Sequence, residues 1–100
     1  MLAARRKLEI FIEAHALERV EDMLGESGFK GWSVFAGCEG AGVHGQWRHT
    51  GVDEKGLHLL IAIGHQQACE TALVWLEDYF KIYPGIVAVS EVQVMRGERF

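Results

Sequence analysis

Residues 7–14 (KLEIFIEA) alternate: Leu8, Ile10 and Ile12 fall on one side, and Lys7, Glu9, Phe11 and Glu13 on the other. A period of two predicts a strand with one face on a core. Phe11, an aromatic residue among charged positions, points to a second contact for the outer face, such as another subunit. From Ala16 the period lengthens. Leu17, Val20 and Leu24 are three and four apart, with Glu18, Arg19, Glu21 and Asp22 between them. That spacing predicts an amphipathic helix. Gly25 and Gly28 end it, because glycine takes the left-handed conformation that suits a helix C-terminus.

Residues 31–36 (GWSVFA) are rich in aromatic and β-branched side chains and predict a second strand. Periodicity then stops. The twenty residues 37–56 hold six of the twelve glycines, and a loop that long in a small domain is usually functional or mobile. Residues 57–64 (LHLLIAIG) are apolar on both faces, as expected of a central strand. Cys69, Ala72, Leu73, Leu76 and Phe80 mark the buried stripe of a second helix. Tyr83, Pro84 and Gly85 form a turn, and residues 86–95 predict a last strand.

The order is β-α-β, long loop, β-α-β. It predicts an α+β fold, a ferredoxin-like βαββαβ sandwich with a four-stranded antiparallel sheet and both helices on one face. The whole chain, 1–100, reads as one domain, with 1–6 as an N-terminal extension and 37–56 as the loop between strands two and three. Phe11, Leu59 and Ile61 belong to strands whose second face the helices leave uncovered. An apolar uncovered face marks an interface, so a homo-oligomer is expected.

Composition narrows the function classes. Ten Lys and Arg against fourteen Asp and Glu give a net charge of −4, which argues against nucleic-acid binding. Two cysteines, Cys38 and Cys69, make neither a disulfide framework nor a CxxC motif, which fits a reducing cytoplasm. The basic cluster Arg5, Arg6 and Lys7 is followed by alternation rather than a continuous apolar run, so no secretory signal is expected. The longest apolar stretch, 59–63, is too short to cross a bilayer.

Candidate chemistry concentrates in the glycine-rich segment. In GCEGAGVHG, Gly37, Gly40, Gly42 and Gly45 would let backbone N–H groups approach an anion, with Gly40, Ala41, Gly42, Val43 and His44 as the bed. The helix that a dinucleotide fingerprint or P-loop requires does not follow. Cys38, His44 and His49 form a possible metal set, but no structural zinc spacing is matched. A Cys38–His44 nucleophile pair lacks an orienting carboxylate. His15, His58 and His65 read as packed or surface histidines. Arg96 and Arg99 make a candidate oxyanion clamp, since arginine stays charged and binds bidentately; the alternative is an exposed terminus. Arg5 and Arg6 read as surface charge. No nucleophile elbow, HExxH or acid pair of defined spacing appears, so no enzyme activity is expected.

These signals fall in one order. KLEIFIEAHALERVEDMLGESGFKGWSV, with the glycine–large–hydroxyl–Val run Gly31, Trp32, Ser33 and Val34, resembles the start of a PII signalling protein. Gly40-Ala41-Gly42 lies where that family's long T-loop begins, and AVSEVQVMRGER is similar to its last strand and basic tail. The resemblance spans roughly residues 7–99. It implies a ferredoxin-like homotrimer whose open sheet faces pack together, with adenine nucleotides in the clefts between subunits. It further implies that Gly31, Trp32 and Ser33 hold the base end, and that Gly40 and Gly42 form the backbone bed. Gly85 and Ile86 match a shortened B-loop, and Arg96 and Arg99 grip phosphates from the neighbouring subunit.

Departures from the family pattern sharpen the implication. The T-loop is short and has no tyrosine, which removes uridylylation there. Val43-His44 replaces the usual Arg-Gln pair, an aliphatic residue replaces a third-strand glutamate, and the B-loop is reduced to Tyr83-Pro84-Gly85. These changes argue against 2-oxoglutarate sensing and tight magnesium-ATP binding. The chain resembles more closely the PII-like branch associated with inorganic-carbon uptake and carboxysomes. That branch implies AMP or ADP as ligand, with ATP and bicarbonate as further candidates, no obligatory cofactor or metal, and a partner such as a bicarbonate transporter engaged through the T-loop. The rival readings are a metal-responsive or divalent-cation-binding PII-like trimer using Cys38, His44 or His49, and a small ferredoxin-like hydrolase. An acylphosphatase would need a phosphate loop and an asparagine that are missing, and the acidic balance disfavours an RNA-recognition domain. The long central loop is unlike an amino-acid-sensing ACT domain.

Overall fold

The structure, a computed structural model, describes residues 1–43, 45–48 and 56–100, with the backbone alone at 47 and 48. Among the described residues six strands and two helices follow one another: β1 Ala3–Glu13, α1 Leu17–Ser27, β2 Trp32–Ala36, β3 Glu39–Gly42, β4 Gly45–Arg48, β5 Leu57–Gly64, α2 Gln66–Tyr79 and β6 Gly85–Val94. Short 3-10 turns at Ala14–Ala16 and Gly97–Arg99 precede α1 and follow β6. The main sheet has the order β2-β5-β1-β6, antiparallel throughout. This is the expected ferredoxin-like α+β sandwich.

The alternation of β1 sets the core. Leu8, Ile10 and Ile12 are fully enclosed beneath the helices, together with Leu60, Ala62, Val20, Leu24, Cys69, Ala72 and Leu76. Burying each large aliphatic side chain contributes about 1.5–3 kcal/mol, so this layer specifies which face the helices cover. Met23 and Tyr79 join it, while the expected stripe residues Leu17, Leu73 and Phe80 pack only partly against it. α1 ends at Gly28, whose φ of 108° supplies the left-handed cap.

The opposite sheet face carries a continuous apolar row. Strand register aligns Phe35, Leu59, Phe11 and Ile86 across all four strands. The next row is Ser33, Ile61, Glu9 and Ala88. Phe35 is 51% exposed and Ile86 63%, so among the described residues much of this face is left open.

Two expectations are corrected. Residues 3–6 are not an extension but the first third of β1, paired with residues 91–94 of β6. The segment 37–56 is not structureless: β3 and β4 form an antiparallel ribbon in which Gly42 pairs with Gly45. Glycine and polar residues dominate both ribbon strands, so no apolar alternation reveals them. Backbone pairing alone defines the ribbon.

Candidate functional site

The loop that carries the ribbon is closed at its root by backbone hydrogen bonds. Gly37 N–H donates to Leu57 O at 2.8 Å, and Ala14 N–H donates to Gly56 O at 2.9 Å. The ribbon therefore leaves and re-enters the sheet beside the end where β6 begins, since Gly85 pairs with Ile12, and Ile12 with His58. Between ribbon and sheet lies an open cleft of about 630 Å³. Its floor is Phe11, Leu57 and Ile86, and its wall is Gly40, Ala41, Gly42 and Val43 with Gly45 and Gln46; Gly85 completes the rim.

Gly85 is there for space. A Cβ at this position would collide with the Phe80 ring and lie 2.8 Å from the Phe11 carbonyl oxygen. The close approach of β6 to β1 at the cleft rim depends on its absence. None of the described residues lining the cleft carries a positive charge.

The tail arginines lie elsewhere. β6 runs ten residues from Gly85 to Val94, about 30 Å at roughly 3.3 Å per residue. Arg96 and Arg99, both exposed, thus sit far beyond side-chain reach of the cleft in their own chain. The 3-10 turn between them meets Ala3 and Arg5 on β1 and is joined to the residue preceding Gly31, because Lys30 Nζ donates to Glu98 O at 2.9 Å. The expected site residues therefore do not all share one place. Gly40, Ala41, Gly42, Val43, Gly85 and Ile86 share the cleft. Gly31 follows Lys30, which bonds the tail turn, whereas Trp32 and Ser33 lie mid-sheet, level with Val89 and Ala88 of β6 and close to the Phe35–Ile86 row.

Trp32 is constrained in a way its position in the sequence did not reveal. Its register with Ala62 places it on the helix side, and its Nε1–H donates to Glu21 Oε2 at 2.9 Å. Ser33, one residue on, faces the open side beside Ile61. Cys38 is exposed; His44 and His49 lie outside the described residues. Arg5, read from the sequence as surface charge, and Lys30, not singled out, both contact the tail turn.

A second groove, about 580 Å³, opens where β1 and β6 extend past the start of α2 and is lined by Arg5, Arg6, His65, Gln66 and Glu91 among others. Cys69, below it, donates its S–H to Arg6 O at 3.8 Å. Burial pushes the Cys69 thiol pKa up, against the opposing pull of the Arg6 charge. No helix among the described residues is long and apolar enough to cross a membrane.

The family model for nitrogen regulatory protein P-II matches residues 5–99, which is nearly the whole chain. The chain belongs to the P-II family. Proteins of this family are regulatory rather than enzymatic, and PII proteins are trimers that bind adenine nucleotides.

Among solved structures, CPII, a nitrogen regulatory PII-like protein from Thiomonas intermedia K12, bound to ADP, AMP and bicarbonate, is 28% identical, with a TM-score of 0.90 over 100% of this chain and 96% of that one. CPII bound to ADP and bicarbonate gives 29% identity and a TM-score of 0.89, covering 100% of this chain and 97% of that one. A PII-like signalling protein from Thermus thermophilus shares the fold, with 23% identity and a TM-score of 0.79 over 99% and 97% of the two chains. Among curated proteins, none matches the chain.

Proposed function

We propose that this chain is a non-enzymatic PII-like sensor that binds AMP or ADP, with ATP as a weaker ligand, and responds to bicarbonate. The observation that carries this reading is the cleft, where a glycine-rich wall meets the Gly85–Ile86 start of β6. An apolar floor suits a base and ribose, and exposed glycine backbone suits an oxyanion, because no Cβ holds the anion away. The likeness to CPII, with its ADP, AMP and bicarbonate, supports the choice of ligands.

The cleft lacks a described cation on its lining, yet a nucleotide brings at least one phosphate. Supply of charge from a second copy resolves this. Packing of the open sheet faces against one another in a homotrimer would bring one subunit's Arg96 and Arg99 toward the next subunit's cleft. Arginine suits phosphate because its planar fork donates in pairs and keeps its charge. In that assembly Gly31, Trp32 and Ser33 contribute backbone, and the Ser33 hydroxyl, to the base end.

The mechanism is linkage. A nucleotide or bicarbonate that contacts Gly40, Ala41, Gly42, Val43 and His44 differently in two T-loop conformations shifts the population between them. The loop conformation then decides whether a partner in inorganic-carbon metabolism, such as a bicarbonate transporter or a carboxysome-associated protein, is held. The cytoplasm is the proposed compartment.

Titration calorimetry with AMP, ADP and ATP, each with and without bicarbonate, tests the reading. Saturable AMP or ADP binding is expected, weakened at least tenfold, about 1.4 kcal/mol, by Arg96→Ala with Arg99→Ala in an intact oligomer. Absence of saturable binding by every nucleotide would overturn it.

A further inference from the structure

Two cations outside the clamp hold the turn that separates its arginines. Arg5 Nη2 donates to Gly97 O at 2.8 Å, and Lys30 Nζ donates to Glu98 O at 2.9 Å. The Arg5 guanidinium is itself anchored, since Nη1 donates to Ala4 O at 2.7 Å. We propose that Arg5, assisted by Lys30, is a positioning residue that sets the spacing and direction of Arg96 and Arg99 for a nucleoside diphosphate. The proposal rests on the reading of Arg96 and Arg99 as a phosphate clamp.

The backbone between the arginines is specified in detail. Arg96 has a φ of 58°, a left-handed conformation that non-glycine residues rarely adopt. Arg99 N–H donates to Arg96 O at 3.0 Å, and Phe100 N–H to Gly97 O at 3.1 Å, which closes the 3-10 turn. Gly97 packs so tightly on β1 that a Cβ would lie 2.7 Å from the Ala3 Cβ and 3.1 Å from Arg5 Nη2. Such a conformation persists only when its surroundings over-determine it. Here the surroundings are the Arg5 and Lys30 donors and the Ala3 surface.

The chemistry suits arginine at position 5. One planar group bridges the carbonyls of Ala4 and Gly97, so the turn is registered against a particular residue of β1. A lysine is a point charge that fixes one direction less well. Both cations spend donors on backbone carbonyls, while Arg96 and Arg99 stay exposed at the ends of the turn. Without Arg5, the two arginines would sample many relative placements, and bidentate capture of two linked phosphates would carry an added ordering cost.

A double-mutant cycle tests this, with ADP as the probe and the oligomeric protein throughout. Arg5→Met is expected to weaken ADP binding about tenfold and adenosine binding little. In the Arg96→Ala/Arg99→Ala background the same change should have almost no further effect, because coupled residues are non-additive. Lys30→Met, at an exposed position, supplies a second variant should Arg5→Met fail to fold, with a smaller coupled loss expected. If the parent chain binds ADP and neither variant weakens it, or the loss persists undiminished without the clamp, positioning is refuted and the nucleotide reading stands. If the parent chain binds no ADP, both fall together.

Discussion

Trp32 and Glu21 are hydrogen-bonded across the helix–sheet interface, with indole Nε1–H to carboxylate Oε2 at 2.9 Å. The ring also lies against α1 at Gly25, where an added Cβ would sit 3.6 Å from it. An aromatic residue in the expected base-binding segment is therefore committed to holding α1 on the sheet. Glu21→Ala should cost about 1 kcal/mol in denaturant unfolding, because a half-buried indole N–H loses its acceptor. Nucleotide affinity should stay within twofold of the parent. A large affinity loss in a fully folded variant would give the indole a direct role.

Gly85→Ala probes the cleft rim. The new methyl would press on the Phe80 ring and the Phe11 carbonyl. Overpacking of this kind costs about 1–3 kcal/mol, and relief would push the start of β6 away from β1. Lower thermal stability and weaker nucleotide binding are expected together. Unchanged values of both would mean that the rim accommodates a side chain.

The two thiols should differ sharply in reactivity. Cys38 is exposed, whereas Cys69 is buried with its pKa raised by that burial. The thiolate is the nucleophile, so a disulfide reagent at neutral pH should titrate one thiol quickly and the second only after unfolding. Fast reaction of both in the native state would contradict the packing of α2.

Tyr79 offers a pH-dependent test. It is 7% exposed, stacks between Trp75 and Tyr83, and has a hydroxyl without a hydrogen-bond partner among the described residues. Burial raises its pKa above the ordinary phenol value, opposed by the nearby Arg19 charge. The folded state therefore favours the neutral phenol. Its stability contribution is complete below the unfolded value and is lost as pH rises through the higher folded value. Tyr79→Phe should move the alkaline unfolding midpoint upward while changing neutral-pH stability little. Coincident alkaline midpoints would remove Tyr79 as a contributor.

What could be read from the chain was whatever burial writes into side-chain periodicity. Leu8, Ile10 and Ile12 announced β1 and its inner face, and Phe11 announced the apolar outer row. The β3–β4 ribbon stayed hidden because its strands, EGAG and GQWR, bury neither face in a regular pattern. Ala3–Arg6 escaped notice as part of β1 because three of the first residues of the strand, through Lys7, are cationic and polar on both sides. The contact between Arg5 and Gly97 spans 92 positions, and nothing local in either segment encodes it. The separation of the tail arginines from the cleft likewise follows from sheet register, which only the folded chain displays.

The root of the segment that carries the β3–β4 ribbon has a consequence for how such a chain diversifies. Because Gly37 and Leu57 are tied together at 2.8 Å, everything between them is anchored at two nearly coincident points. The entropy of closing a segment so anchored grows only logarithmically, about 0.6 kcal/mol for each doubling of length. Insertions, deletions and sequence drift beyond the root should scarcely register in the stability of the sandwich. Selection on the sequence of that segment and selection on whether the chain folds can then proceed almost independently, so change there requires no prior gain in stability.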